Sequence, residues 1–294
     1  MKFWKPPRHL QGGGLQAVLR HAEFIPPPPG IRRLRHWPSK ALGRDMAIDI
    51  YLPPNYLFAW KRRYPLVVFN DGQDLPYARL AETLQKVWRS HALLHFIAVG
   101  VHAGAERSRE YGTVRQADYK GRGDKAGAHR DFVLNELFPY LRGRFRWSGK
   151  PEETAFAGFS LGGLSAFDIA WAHPEVFGAA GVFSGALWWR WAPVNPDDPD
   201  ACRIMHDIVL HTDGRPNAQR FWFQAGTKDE EEDRNGNGVI DAIDDTLHLI
   251  EDIRKKGYKE DQLRYLEMEG GEHNPATWGA AMADFLGWWL NKGH

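Results

Sequence analysis

The hexapeptide Gly158-Phe159-Ser160-Leu161-Gly162-Gly163 fits the pattern G-x-S-x-G. The apolar run Thr154–Phe159 precedes it and helical spacing over Leu161–Ala172 follows it, the context such a turn requires. A serine on so tight a strand-to-helix turn projects its hydroxyl beyond the sheet. Side chains on the flanking glycines would collide with neighbouring backbone, and the helix N-terminus points free N–H groups at an oxyanion formed beside the serine. Serine is a poor nucleophile alone; it needs a base, itself oriented by an acid. In chain order these come after the serine, acid first and histidine last. Asp229 follows the run FWFQAG directly, and His273 follows LRYLEME in Gly270-Gly271-Glu272-His273. Both fall at the C-terminal ends of strands, where open α/β sheets carry their sites. Glu230, Glu231, Glu232 and Asp233 come next, and any of them serves as the acid if the turn differs by a residue; Asp229 is favoured. The Leu161 N–H is the first candidate oxyanion donor. The second is the Gln73 N–H in Asn70-Asp71-Gly72-Gln73-Asp74, if Gly72 turns it toward the serine. The same loop reads equally as a strand-ending turn.

A second constellation is the twelve-residue stretch from Asp233 to Asp244. Oxygen side chains stand at positions one, three, five, nine and twelve (Asp233, Asn235, Asn237, Asp241, Asp244), with Gly238 at position six and the carbonyl of Val239 available at seven. That is the spacing of a calcium loop. A helix follows it but none precedes, and aspartate replaces the usual final glutamate. The competing reading is an Asx-turn loop with Asp244 capping the next helix. No cofactor is needed for the serine chemistry, so calcium here would be structural. Two weaker patterns fail on context: His91 and His95 lack a glutamate after the first histidine, and Gly121-Arg122-Gly123-Asp124-Lys125-Ala126 follows a polar stretch instead of a strand.

The elements that must hold these residues are legible as alternating runs. Met46–Leu52 alternates with period two; Pro65–Asn70, Phe96–Val101, Thr154–Phe159, GAAGVF, FWFQAG and LRYLEME read as strands. Helical spacing runs over Tyr77–His91, Asp131–Phe145, Leu161–Ala172, the stretch near Asp245–Lys256, and Asn274–Leu290. Strands alternating with helices predict one α/β domain from residue 46 to 294, its mostly parallel sheet covered on both faces. Residues 1–45, with Gly12–Gly14 and Pro26–Pro29, read as an irregular arm that wraps the domain or adds an edge hairpin.

Composition narrows the function. Lys plus Arg total 38 against 37 Asp plus Glu, without the basic excess of a chain that grips nucleic acid. The single cysteine, Cys202, excludes an intrachain disulfide. No apolar run reaches the roughly 18 residues of a membrane span, and the N-terminus lacks the apolar stretch of a signal peptide. A cytoplasmic protein acting on a small-molecule ester is expected, with no nucleic-acid or membrane partner; the oligomeric state is open. Thirteen Trp and sixteen Phe suggest aromatic-walled surfaces as well as core.

The segments IYLPPNY, FNDGQ, ERSREYG, HRDFVLNELFPYLRGRF, AGFSLGGLSAF, HPEVFG with FSGALWW, QAGTKDE and GGEHNPATW together resemble the esterase D and enterochelin-esterase-like family of serine α/β-hydrolases. The resemblance implies the α/β-hydrolase fold and a carboxylesterase working through an acyl-enzyme. It implies Ser160 as nucleophile, Asp229 as acid, His273 as base, and the residue after Asp-Gly, Gln73, as second oxyanion donor. Arg109 and Glu110 match its arginine–glutamate segment, as substrate-facing residues or a buried ion pair. Trp188 and Trp189 match an aromatic pair expected to wall the substrate pocket. About forty residues precede the hydrolase part, too few for the substrate-holding domain of full enterochelin esterases. Acyl transfer to a sugar or lipid hydroxyl on the same triad is the alternative, and a non-catalytic aromatic-rich binding module a third reading.

Overall fold

The computed structural model describes residues 30–54, 56–90, 95–213 and 218–291. The strands are β1 (Gly30–Ser39), β2 (Arg44–Leu52), β3 (Leu66–Phe69), β4 (Ile97–Val101), β5 (Thr154–Phe159), β6 (Ala179–Phe183), β7 (Arg220–Lys228) and β8 (Leu263–Glu272). They form one sheet in the order β1-β2-β4-β3-β5-β6-β7-β8. From β4 to β8 every neighbouring pair is parallel; β2 is antiparallel to β4, and β1 to β2.

The short central strands are apolar throughout because both of their faces are covered. In β3, Leu66 and Val68 face one core cluster and Val67 and Phe69 the other. Helices α1 (Leu80–Arg89) and α8 (Pro275–Leu290) cover the second face with Leu80, Leu84, Met282 and Phe285. The opposite face takes α5 (Leu161–Ala172) and α7 (Asp241–Lys255) through Leu164, Phe167, Leu249 and Ile253. The helix expected over 131–145 also lies there, and it differs in form. Helix α3 (Ala126–Asp131) passes through a π-helical stretch, Phe132–Leu137, into α4 (Phe138–Arg144). Pro139 sits in the first turn of α4, where its missing N–H and its ring disturb the regular i→i−4 ladder of the turn before it. Two further helices, α2 (Arg107–Glu110) and α6 (Ile204–His211), follow β4 and β6.

Over its last part the N-terminal arm is not irregular but takes the edge-hairpin alternative. Residues 30–39 are the edge strand β1, a hairpin partner of β2 with Gly30 opposite Leu52 and Ser39 opposite Arg44. Its mostly exposed side chains give no apolar alternation to read, since backbone pairing holds it; Arg32, Arg33 and Arg35 on it are the charges that discourage a further strand from adding. The glycine and proline runs before residue 30, and His91, lie outside the described residues. Among the described residues no helix is long and apolar enough to cross a membrane.

Candidate active site

Ser160 stands between β5 and α5 with φ 53° and ψ −122°, a left-handed backbone that a non-glycine residue adopts only when its surroundings impose it. The imposition is steric. A Cβ on Gly158 would lie 2.3 Å from the Gly162 oxygen, and one on Gly163 would lie 2.9 Å from the Gly158 oxygen. The turn is tied to β6 by Ser160 N–H donating to the Phe183 carbonyl (2.8 Å), and Ala186 N–H donates to the Ser160 carbonyl (3.1 Å). Leu161 opens α5, where its N–H, the first of the helix, has no intrahelical acceptor.

The loop after β3 lies against the same turn. Asn70, fully buried, donates from Nδ2 to the Gly162 carbonyl (2.9 Å), and its Oδ1 meets Nε2 of the buried His129 at 3.0 Å. Asp71 has φ 58° and accepts from Arg107 through Nε and Nη2, both at 2.7 Å. Gly72 has no room for a side chain, since a Cβ would lie 2.6 Å from the Gly100 carbonyl carbon. The Gln73 side chain is held at both ends: its amide donates to Asp71 (3.1 Å) and its oxygen accepts from Ala103 N–H (2.9 Å). Among the described residues the backbone N–H groups of Gln73 and Leu161 have no hydrogen-bond partner.

Asp229 ends the turn after β7, with its side chain fully buried. Its Oδ2 accepts from the Gly226 N–H (2.9 Å) and its Oδ1 from the Ser184 hydroxyl (3.0 Å). His273 follows β8, held between that strand and α8, whose Asn274 cap accepts from Thr277 N–H at 3.1 Å. His273 Nδ1 lies 3.7 Å from Asp229 Oδ1, an ion-pair separation longer than a hydrogen bond. Its ring meets Trp278 edge-on at 5.4 Å, and Trp278 in turn stacks on Phe159, next to Ser160, at 4.8 Å. Burial pushes the His273 pKa below its ordinary value; Asp229 opposes this and the Arg107 charge adds to it. The neutral imidazole, the form that accepts a proton, is thereby favoured.

Two expected residues are placed differently, while Glu110 takes the ion-pair alternative: it is buried and gripped by Arg44 through contacts of 2.7 and 2.6 Å. Arg109 turns outward to Asp124 and Glu106. The arginine of that segment that reaches the site is Arg107. Trp189 is 1% exposed, packed on Gly112 and Gly123, and belongs to the core instead of a pocket wall. Trp188 is half-buried, with the Arg122 guanidinium 5.2 Å from its ring. Sequence reasoning also passed over Ser184 and Asn70, polar residues that end the apolar runs of β6 and β3; that position was their signal.

The Asp233–Asp244 loop brings part of its oxygen set together. Asn235 and Asn237 donate from Nδ2 to Asp244 Oδ2 at 2.8 and 3.2 Å. Asp233 accepts from Asn237 N–H (3.1 Å) and Gly238 N–H (2.9 Å), and Asn237 Oδ1 from Val239 N–H (2.8 Å). Asp241 is engaged instead by Arg234, at backbone N–H (3.0 Å) and guanidinium (3.1 Å). Ligand atoms of Asp200, Asp244 and His248 also lie within 4.8 Å of one another. Carboxylates and amide oxygens are the donors a hard divalent cation takes, and of the loop's carboxylates Asp241 has its charge already met by Arg234.

A sheet of this order with a serine elbow after β5 is the α/β-hydrolase architecture, shared with solved structures. The match to a ferulic acid esterase has a TM-score of 0.67 at 17% identity, over 90% of this chain and 98% of that one. The match to the enterochelin esterase of Shigella flexneri has a TM-score of 0.69 at 18% identity, over 93% of this chain and 63% of that one. An IroE-like serine hydrolase from Shewanella oneidensis matches with a TM-score of 0.63 at 20% identity, over 89% and 79%. Residues 39–289 match the family described as putative esterase, and the chain belongs to that family of carboxylic ester hydrolases. Among its relatives in sequence is the uncharacterized protein YbbA of Bacillus subtilis (strain 168), 22% identical over 247 residues, 83% of this chain and 92% of that protein.

Proposed function

We propose that the chain hydrolyses carboxylic esters through an acyl-enzyme on Ser160, with His273 as base and Asp229 as the acid that orients it. The observation that carries this reading is the His273–Asp229 pair: Nδ1 faces the buried carboxylate at 3.7 Å, which leaves Nε2 for the serine proton. Ser160 Oγ attacks the ester carbonyl while Nε2 takes its proton. The carbonyl oxygen becomes an oxyanion held by the Leu161 and Gln73 N–H groups, and the C–O bond breaks as the imidazolium returns the proton to the alcohol. Water then adds to the acyl-serine in the same way and releases the acid. Trp188, two residues beyond the Ala186 N–H that binds the Ser160 carbonyl, is the aromatic side chain suited to contact an aromatic acyl group. Feruloyl and dihydroxybenzoyl esters are the substrates to try first, because the matched structures are a ferulic acid esterase and enterobactin esterases. Calcium, held by Asp233, Asn235, Asn237 and Asp244, would steady the turn that carries Asp229 and takes no part in the chemistry.

A fluorophosphonate probe and p-nitrophenyl acetate test the reading together. Wild type should label and turn over, and Ser160→Ala should do neither. Equal hydrolysis by Ser160→Ala would remove the assignment, and an ester product formed with added alcohols would move the reaction to acyl transfer.

A further inference from the structure

The end of the sheet opposite Ser160 carries an apolar tip inside a basic collar. Strand β2 runs antiparallel to β4, so the β2–β3 connection leaves the sheet where the parallel strands begin, away from the catalytic end. On that connection Leu57, Phe58 and Trp60 are 73%, 82% and 70% exposed. They are not frayed chain: the loop is anchored from below by Tyr56, whose carbonyl and ring are held by Arg146, with the guanidinium 3.8 Å from the ring centroid. Tyr64, fully buried, closes the loop through a bridge to Trp147. Three bulky apolar side chains are thus pushed into water by a buried base.

Lys61, Arg62 and Arg63 follow the tip directly, and Arg142 and Arg144 end α4 just before Arg146 and Trp147, which anchor the loop at Tyr56 and Tyr64. All five cations are exposed. Among the described residues none of these five has a carboxylate within ion-pair distance; at this end Lys150 meets Glu153 at 3.7 Å. A chain with almost no net charge has therefore gathered cations without carboxylate partners around Phe58 and Trp60, two of the three most exposed aromatic residues among those described. We propose that this end docks on a bilayer rich in anionic phospholipid, with Leu57, Phe58 and Trp60 entering the interface and the collar meeting the headgroups. Aliphatic and aromatic side chains next to lysine and arginine are the combination that such interfaces hold.

The other occupants fit the charge less well. A second copy would set collar against collar. Gly30, the first described residue, pairs with Leu52 nearby, but residues 1–29 carry Lys2, Lys5, Arg8 and Arg20 against Glu23 alone. A polyanion would satisfy the collar and leave the apolar tip in water. The absence of a helix able to span a membrane among the described residues concerns crossing and not docking. The catalytic end stays in the aqueous phase.

Co-sedimentation of the full chain with vesicles tests this, comparing phosphatidylcholine alone with phosphatidylcholine plus phosphatidylserine. Binding is expected to the mixed vesicles only and to weaken with salt. Leu57→Ala/Phe58→Ala/Trp60→Ala should abolish it, and each of Arg142→Gln and Arg144→Gln should weaken it about fivefold. p-Nitrophenyl acetate hydrolysis should be unchanged in all of these, which keeps this outcome separate from that of the catalytic assignment. The proposal is overturned by equal binding to both vesicle types, by no binding, or by binding that survives the triple variant. Heparin capture that survives the triple variant, without vesicle binding, would assign the collar to a polyanion. A fluorophore on Phe58→Cys that is already shielded without lipid would assign the tip to residues 1–29 or a second copy.

Discussion

Replacing Arg107 by methionine probes the support under the oxyanion loop. Arg107 meets Asp71 with two contacts of 2.7 Å; the Asp71 side chain is fully buried and that of Arg107 is 35% exposed. Methionine fills much of the arginine stem and removes both donors, leaving the carboxylate with the Gln73 amide at 3.1 Å. Breaking a buried pair from one side costs about 3–5 kcal/mol, and the partial exposure of Arg107 places this case near 3 kcal/mol. For a chain of this size that lowers the melting temperature by about 5 °C. Asp71 also backs the nucleophile helix: a Cβ on Gly162 would lie 2.3 Å from its Oδ2, so kcat/KM should fall as well. The Arg107 charge is one of the influences that lower the His273 pKa. Without it that pKa rises, and because the neutral imidazole is the base, the acid limb of kcat/KM moves to higher pH. Arg107→Met/Asp71→Asn leaves no buried unpaired charge and should recover much of the stability. Urea unfolding followed by circular dichroism and a pH–rate profile read the two effects. An Arg107→Met protein as stable as wild type, with an unmoved acid limb, would refute the argument.

Ser184→Ala removes the hydroxyl that donates to Asp229 and accepts from Trp278 Nε1, each at 3.0 Å. Leaving that indole N–H without an acceptor should cost about 1–3 kcal/mol, with a loss in kcat larger than any change in KM; unchanged kcat would show that the hydroxyl does not position Asp229. Burial pushes the Asp168 carboxyl up to about 7, while the Val114 N–H opposes this at 2.9 Å. The folded chain then keeps a proton that the unfolded chain releases above about pH 4, so this contribution to stability is lost as pH rises from 4 through 7. Asp168→Asn should flatten that slope and be more stable than wild type at pH 8, by up to about 4 kcal/mol; parallel unfolding curves at pH 5 and 8 check it. Millimolar calcium should raise the melting temperature by several degrees, with reversal by EDTA and loss in Asp244→Ala; a stabilisation of about 2.7 kcal/mol is expected at a hundred times Kd. Indifference to both would leave the Asp233–Asp244 loop held by its own hydrogen bonds.

The sequence by itself determined the parts that rest on local geometry. The elbow is legible because the residues that crowd Ser160, Gly158, Gly162 and Gly163, are within three positions of it, and the central strands are legible because two covered faces demand unbroken apolar runs. The ends of β7 and β8 put Asp229 and His273 in view for the same reason. Which of five consecutive acids faces His273 was left to the fold, since it depends on how β7 and β8 end beside each other, with a register shift between Gly226 and Lys228. The choice among Arg107, Arg109 and Glu110 was also made there. Three residues of one short helix point to Asp71, Asp124 and Arg44, partners 36, 15 and 66 positions away. Trp188 and Trp189 are neighbours in the chain, yet the loops around Gly112 and Gly123 close over one and leave the other half-buried. Strand β1 forms because β2 offers it a row of backbone groups. Local pattern fixes what a segment can become; contacts between distant segments fix which way its side chains are spent.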